Sequence, residues 1–468
     1  MPRGKLSESA LSAVVYHALQ AGEPLSSAQL QRITRKSQPT VSRALAALAD
    51  RVATLGRARA TRYGAKKSIH SLLASQPLYW FSETGRPWEI GHITLLANDY
   101  LHVETESFST LTHRTLPWYM APLRLDGFLG RLQARHLGDK TWEADPARWT
   151  LEQVLYAATG LYDAPGALLL GDRSQPDVLP VLPDGKAGAS VMTAALDHLA
   201  NTVAQTLPAG SSAGGEQPKL LARLADETAA LVKFSPPRGT PFGDRWRDLL
   251  IAEHLAGQIL RKHDVVDRPI AVATTHLVES DARTYLVSER FDRVSLGGLS
   301  DGRRHVVSIL AAHEGLVGGA YPGWDGAALA LMDRGRLSFE DQAVARALLQ
   351  FGRLIGNTDM HGGNLSLFVE PETVQDGLLA LAPVYDMLPM RWRPTAEGAP
   401  DYTPFDFDAR DAGSPLAGAA RDFWAALQES DVSPSLKVVA AEMARRIGDV
   451  VAEIPPTNGR DRARPRGG

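Results

Sequence analysis

The sequence contains no cysteine and no apolar run long enough to cross a membrane. The absence of cysteine excludes disulfide bonds, thiolate zinc sites and cysteine nucleophiles. Its apolar stretches fall short of the roughly 20 residues that a membrane-spanning helix needs, and the N-terminus has no signal-peptide pattern. These absences predict a cytoplasmic protein that does not enter a membrane.

Charge is unevenly distributed along the 468 residues, a length that predicts about three domains. Residues 1–67 contain twelve Lys or Arg and three acids, which gives them a net charge of +9. The whole chain carries −3, so the remaining residues carry −12. A basic head on an acidic body predicts that residues 1–67 alone contact a polyanion.

Residues 1–67 have the pattern of three helices followed by a two-stranded hairpin. The third helix is predicted to begin at Gln38-Pro39, because the missing N–H of proline costs nothing in a first helical turn. This order resembles the winged helix-turn-helix domains of bacterial regulators, which bind DNA. The residues expected to contact base edges are Gln38, Thr40, Ser42 and Arg43, and those expected to contact phosphates are Arg57, Arg59 and Arg62. The alternative is a helical protein-interaction module with a solvated basic face.

The predicted fold class is multidomain α+β. After the head, residues 68–205 alternate apolar and polar in short pieces and predict a small α/β subdomain without a catalytic constellation. Residues 206–456 predict a bilobal, protein-kinase-like domain whose second lobe, after about residue 290, is mainly helical. The tail 457–468 combines arginine with glycine and proline and is expected to be disordered.

One loop, Gly356-Asn357-Thr358-Asp359-Met360-His361-Gly362-Gly363-Asn364, is the most informative stretch of the chain. An acid, an amide five residues later and a second acid at Asp386 match the needs of ATP-dependent phosphoryl transfer. Asp359 would orient and deprotonate a hydroxyl nucleophile, and Asn364 and Asp386 would hold Mg²⁺. The alternative is a solvated turn, because Gly, Asn and Asp suit turns. Apolar segments on both sides of the loop favour the catalytic interpretation.

Three further features precede this loop in the order that a kinase requires. The glycine-rich stretch 211–219 would let backbone N–H groups approach phosphates, with Ser211, Ser212, Gly214 and Gly215 as its candidate residues. Lys233 lies in an apolar strand, and Glu253 lies on the apolar face of a helix, where a carboxylate needs a cation. The segment Tyr285–Arg293 would join the two lobes and offer backbone groups to adenine.

Together these motifs resemble the HipA-type serine/threonine kinases, which are the toxins of bacterial toxin–antitoxin modules. With the basic head, the chain is most similar to the YjjJ-like branch of that family. The resemblance implies ATP and Mg²⁺ as cofactors, and a protein substrate and an antitoxin protein as partners besides DNA. It implies that Asp359 is the catalytic acid/base and that Asn364 and Asp386 are Mg²⁺ ligands.

The same resemblance assigns the remaining candidate residues. Lys233 would contact the ATP phosphates, His361 would lie in the nucleotide site, and the backbone of Glu289 and Phe291 would contact adenine. Ser211 or Ser212 would be autophosphorylated. The chain departs from the family at Gly363, where a basic residue is common, and at Glu216, which lengthens the glycine-rich loop.

The residues leave two other functions open. A small-molecule kinase would use a comparable set of Asp, Asn and Asp side chains. A transcription regulator could carry a kinase-like body that senses nucleotide without turning it over.

Overall fold

The structure is a computed structural model that describes residues 8–57, 60–176, 178–184, 189–206, 217–297, 301–395 and 398–453. Several residues singled out above lie outside these ranges, namely Arg59, Ser211, Ser212, Gly214, Gly215 and Glu216, as does the tail 457–468. None of the described helices is long and apolar enough to cross a membrane.

The basic head consists of three helices and a three-stranded antiparallel sheet. Its elements are α1 (Glu8–Gln20), β1 (Leu25–Ser26), α2 (Ser27–Thr34), α3 (Gln38–Ala46), β2 (Val52–Leu55) and β3 (Arg62–Ala65). The helix α2 begins with a capping box, in which the N–H of Gln29 donates to the hydroxyl of Ser26. Leu11, Val15 and Val41 are buried in the head's own core.

The head is anchored directly on the domain that follows it. Lys67 pairs with Asp99 at 3.0 Å and with Glu152 at 2.9 Å. Leu55 of β2 packs against Leu96 of the following domain in a small buried cluster. The strands of the head therefore rest on the second domain, while Ser42 and Arg43 of α3 are exposed to solvent.

The second domain is built on a five-stranded antiparallel sheet in the order β7-β6-β5-β4-β8. Its elements are β4 (Ser75–Phe81), β5 (Pro87–Leu96), β6 (Tyr100–Thr105), β7 (Ser109–His113), α4 (Gly127–Leu137), α5 (Leu151–Ala158) and β8 (Leu168–Leu170). Leu78 and Ile93 of the sheet and Leu155 of α5 belong to one buried cluster. This confirms the mixed α/β character predicted for this region.

A four-stranded antiparallel sheet in the order β13-β14-β10-β9 opens the third part of the chain. Its elements and their neighbours are α6 (Ala189–Thr206), β9 (Lys219–Arg223), β10 (Ala229–Phe234), α7 (Pro241–Leu260), β11 (Asp264–Val265), β12 (Arg268–Pro269), β13 (Thr275–Glu279) and β14 (Thr284–Glu289). Leu196 of α6 packs with Val232 and Tyr285 on one face of this sheet. Because side chains alternate along a strand, Lys233 points to the opposite face.

The rest of the described chain is mainly helical, as predicted. Its elements are β15 (Arg293–Val294), β16 (Gly302–Arg303), β17 (His305–Ser308), α8 (Ile309–Leu316), α9 (Gly323–Asp333), α10 (Phe339–Leu354), β18 (Ser366–Val369), β19 (Ala380–Leu381), α11 (Ala409–Ala412), α12 (Ala417–Glu429) and α13 (Pro434–Glu453). Phe351 of α10 and Trp424 of α12 are fully buried between these helices. The loop that follows α10 is thereby fixed to a rigid core at its start.

A buried ionic cluster joins the second domain to the segment after β14. Arg290 pairs with Asp163 and Asp292, both at 2.8 Å, and Arg293 pairs with the same two carboxylates at 2.7 and 2.6 Å. All four side chains are less than a tenth exposed. The arginines hold the pKa of Asp292 below its ordinary value against the opposing effect of burial. This cluster fixes the segment that was predicted to join the two lobes against the second domain.

His305 at the same junction predicts acid-sensitive stability. Its Nδ1 accepts from the N–H of Ala167 at 3.1 Å and its Nε2 lies 2.7 Å from the carbonyl of Tyr119, so the neutral ring satisfies both. Burial lowers the pKa of His305 to about 4, whereas an unfolded histidine titrates near 6.5. Below about pH 6.5 the unfolded chain binds a proton that the folded chain does not, so stability falls as pH falls toward 4.

We expect the free energy of unfolding to be about 2 kcal/mol lower at pH 5 than at pH 7.5 because of the shifted pKa of His305. Urea unfolding at both pH values measures the loss, and the His305→Asn variant is the control, because its loss should be smaller by that amount. Equal losses in both proteins would contradict the assignment.

Candidate active site

One buried side chain, Asn357, ties together the two segments that carry the predicted catalytic acids. Its Oδ1 accepts from the N–H of Asp359 at 3.0 Å, and its Nδ2 donates to the carbonyl of Asp386 at 3.3 Å. Asn357 is 6% exposed, whereas the side chain of Asp359 is 39% exposed. The loop therefore has a fixed backbone, with the Asp359 carboxylate accessible to a ligand.

Asn364 closes the loop on itself. Its Nδ2 donates to the backbone carbonyl of Asp359 at 2.9 Å, which leaves its amide oxygen available for another contact. On the other side, the Tyr385 hydroxyl donates to the carbonyl of Gly363 at 2.8 Å. Burial raises the pKa of Tyr385, so this hydroxyl keeps its proton. The predicted amide and the two predicted acids thus belong to one hydrogen-bonded unit.

His361 lies beside Asp359, with 3.9 Å between Nε2 and the carboxylate Oδ1. Its Nδ1 accepts from the N–H of Gly363 at 3.0 Å, so in the neutral ring Nε2 carries the proton and faces Asp359. A Cβ atom at position 363 would stand 2.7 Å from the His361 ring. A side chain at position 363 would therefore clash with the His361 ring, and Gly363 leaves room for it.

Lys233 is held between two carboxylates. Its ammonium donates to Glu253 at 2.6 and 2.8 Å and also contacts Asp386 directly. The predicted Lys233–Glu253 pair is thus confirmed. Burial opposes the charge on Lys233, but the two carboxylates overcome it and raise its pKa. Burial opposes ionisation of Asp386 too, yet Lys233 and Lys219 hold its pKa below the ordinary value.

Lys219 is a second cation on the same face of the sheet, which the sequence reasoning did not single out. It stands directly opposite Lys233 in the register of β9 and β10, and cross-strand partners share a face. Burial lowers the pKa of Lys219, and nearby Lys233 contributes. The signal available in the sequence was the alternation of Lys219, Leu221 and Arg223 with the apolar Leu220 and Ala222, which places Lys219 on one face of the strand.

The predicted adenine contacts fall at the end of β14. The N–H of Glu289 already donates to the carbonyl of Thr274 at 2.9 Å, and its side chain lies 2.9 Å from His276 Nε2. Its contact with a base would therefore go through the carbonyl oxygen. The ring of Phe291 packs against Tyr385, with 5.6 Å between ring centroids, which connects this segment to the loop before Asp386.

Comparison with known proteins agrees with this order of elements. The HipA-like C-terminal domain matches residues 211–456, and the middle domain of YjjJ-like toxins matches residues 72–179. Toxin YjjJ of Escherichia coli (strain K12) is 32% identical over 452 residues, which cover 93% of this chain and 98% of that protein. The chain belongs to the HipA-like toxin family, in its YjjJ-like group.

A solved structure from Shewanella oneidensis MR-1 is also similar to this member of the HipA-like family. It is the toxin–antitoxin complex of HipA and HipB with operator DNA. The match covers 80% of this chain and 96% of that chain at 16% identity, with a TM-score of 0.48.

The residues of this family member fit a magnesium-bound nucleotide. The amide oxygen of Asn364 and the carboxylate of Asp386 are the oxygen ligands that Mg²⁺ prefers, and Lys219 and Lys233 are cations suited to phosphate. The described residues contain no group of three or more His, Asp or Glu that could hold a metal. Two protein ligands suffice for Mg²⁺ when phosphate oxygens and water complete its shell.

Proposed function

We propose that this chain is an ATP- and Mg²⁺-dependent protein serine/threonine kinase of the HipA type, fused to a DNA-binding head. The observation that carries the proposal is the single unit formed by Asn357, the backbones of Asp359 and Asp386, and the ion pair from Asp386 to Lys233. These contacts link the loop of the accessible acid Asp359 to the buried cation Lys233 of the four-stranded sheet. The first of these bonds is an ordinary Asx-turn, but a solvated turn would need neither the bond to Asp386 nor its ion pair with Lys233.

In this proposal each residue has one task. Asp359 accepts the proton of a serine or threonine hydroxyl as its oxygen bonds to the γ-phosphorus and the bond to the ADP oxygen breaks. Lys233 and Lys219 bind the phosphates, and Glu253 keeps the Lys233 ammonium in position. Mg²⁺ held by Asn364 and Asp386 would neutralise phosphate charge. His361 Nε2 orients the Asp359 carboxylate.

The adenine and autophosphorylation sites are part of the proposal. The carbonyl of Glu289 and the backbone of Phe291 would contact the base. Ser211 or Ser212 would receive phosphate within the same chain, and an antitoxin protein would be a further partner.

Transfer of labelled phosphate tests the kinase function. The purified chain is incubated with γ-labelled ATP and Mg²⁺, with EDTA in a parallel sample, and the labelled residue is mapped by mass spectrometry. Label on Ser211 or Ser212 that EDTA abolishes is the expected result. ATP binding without label on any protein, or turnover only with a metabolite, would favour the regulator or the small-molecule kinase.

The head is proposed to be a winged helix-turn-helix that binds duplex DNA. Ser42 and Arg43 are exposed on α3, as are Gln38 at its start and Arg57 and Arg62 on the hairpin, while Thr40 is half-buried. Exposed arginines on a +9 segment suit a polyanion, since each phosphate contact releases counterions.

Each phosphate contact should be visible in the salt dependence of DNA binding. On a duplex of random sequence, we expect Arg57→Ala and Arg62→Ala each to make the negative slope of log affinity against log salt shallower by about one. Fluorescence anisotropy at several salt concentrations measures the slope. Arg148→Ala, an exposed arginine of the second domain, is the matched control. Slopes equal to that of the unaltered chain would remove these arginines from the interface.

A further inference from the structure

A cavity of about 470 Å³ opens beside the proposed catalytic loop. It is lined by Thr358, which immediately precedes Asp359, and by residues of α10 and of the segment after Asp386. We name it the Arg391 pocket and define it by Arg353, Thr358, Arg391, Phe405, Asp408 and Asp411. Its volume lies within the range of ligand sites, and its position places an occupant next to the proposed acid/base.

Most charges of the Arg391 pocket are already neutralised within the protein. Asp411 pairs with Arg353 at 3.6 Å, and Asp408 pairs with Arg410 at 2.5 Å. The third acid on its lining, Asp406, lies 3.4 Å from Arg446, which is outside the pocket. The lining thus holds three arginines and three aspartates, and Arg391 is its one arginine that has no ion-pair partner among the described residues.

Arg391 is therefore the cation of the pocket that a ligand could pair with. Its side chain is exposed and has no ion-pair partner within the ranges that the structure describes. The guanidinium lies over the ring of Phe405, 5.1 Å from its centroid, and Phe405 is itself 5% exposed. The backbone N–H of Arg391 donates to the carbonyl of Gly356 at 3.0 Å. The backbone bond holds Arg391 against the start of the catalytic loop, and the ring contact positions its exposed side chain.

Such a guanidinium suits a carboxylate, because a planar fork of donors binds two oxygens at once. Stacking on an aromatic ring restricts the side chain and so reduces the entropy lost on binding. Thr358 lines the pocket and directly precedes Asp359. A peptide whose carboxylate binds in the pocket could therefore place a nearby serine or threonine hydroxyl at Asp359.

We propose that the Arg391 pocket binds an Asp or Glu side chain of the protein substrate, close in sequence to the serine or threonine that accepts phosphate. This inference rests on the proposed function and specifies its substrate class. Arg391 acts as a specificity residue, and the pairs Arg353–Asp411 and Arg410–Asp408 shape the pocket walls without contributing net charge.

A positional peptide library tests the proposal. Peptides with a central serine carry Glu or Gln at each flanking position, and phosphorylation by the full chain is measured with Mg²⁺ and labelled ATP. The expected result is about a tenfold preference for Glu over Gln at one position, the effect of a partly exposed charge-assisted hydrogen bond. Arg391→Ala should reduce this ratio to about one, and Arg391→Lys should leave an intermediate ratio, because lysine lacks the fork.

Arg346→Ala is the matched control, since Arg346 is an exposed arginine of α10 that pairs with Asp325 and does not line the pocket. It should keep the tenfold preference. No preference for Glu at any position, or a preference that survives Arg391→Ala, would overturn the proposal.

A binding measurement separates this proposal from the kinase function. Fluorescence anisotropy compares a labelled peptide whose serine is flanked by Glu with its Gln counterpart. Tighter binding of the Glu peptide that disappears in Arg391→Ala supports the pocket even if no phosphate is transferred. Equal binding of both peptides overturns the pocket even if autophosphorylation occurs.

Discussion

Asp359→Asn is expected to lower the rate of γ-phosphate transfer by roughly a thousandfold, the usual contribution of a positioned acid/base. The substitution removes the proton acceptor and little else. The contacts that fix the loop use the backbone N–H and carbonyl of Asp359, which bond to Asn357 and Asn364 and remain in the variant. The rate of label incorporation into the chain itself measures the effect.

Two measurements make this prediction specific. Binding of ATP, followed by calorimetry, should be nearly unchanged, because Lys233 and the proposed magnesium ligands stay in place. Asp333→Asn, at an exposed position at the end of α9, should incorporate label at the normal rate. A rate close to normal in Asp359→Asn would remove this residue from the mechanism.

Lys233→Met is expected to destabilise the fold by about 3 kcal/mol as well as abolish transfer. Lys233 lies between Glu253 and Asp386, and Glu253 is 7% exposed. Removing the ammonium leaves a buried carboxylate without its hydrogen-bonded cation. Urea unfolding of the full chain measures the loss.

The double variant Lys233→Met with Glu253→Gln distinguishes this cause from lost packing. Neutralising the carboxylate removes the unpaired charge, so the double variant should be more stable than Lys233→Met alone, although it stays inactive. The single variant Glu253→Gln is measured as well. If the stability loss of the double variant equals the sum of the losses of the two single variants, Lys233 and Glu253 are not coupled.

The sequence predicted the secondary structure of the cleft with small errors. Strand alternation predicts a hairpin of Lys219–Leu224 and Ala229–Phe234, and helical spacing predicts a helix at Asp244–Arg261. The structure has these elements at Lys219–Arg223, Ala229–Phe234 and Pro241–Leu260. Strand alternation and helical spacing are local properties, so they can be read without knowing the fold. The same reasoning placed Glu253 on the face of α7 that meets Lys233, because a carboxylate among apolar residues requires a partner.

Other features could not be predicted because their partners are distant in the chain. The sequence predicts that Tyr285–Arg293 joins the two lobes. It does not predict that Arg290 and Arg293 also bind Asp163, about 130 residues earlier. The loop motif contains Asn357 but does not predict its bond to the Asp386 carbonyl, which lies 29 residues further along the chain. The sequence Lys66-Lys67-Ser68 predicts a linker, whereas in the structure Lys67 is ion-paired with Asp99 and Glu152 of the second domain.

By itself, the sequence determined which residues carry chemistry and on which kind of element each lies. Residue type, spacing and periodicity are enough for that, because they depend on neighbours within a few residues. Only the tertiary structure decided that Lys233 contacts Asp386, 153 residues away, and that Arg391 has no ion-pair partner among the described residues. Burial and pairing depend on which faces of distant elements meet, and local patterns do not specify that choice.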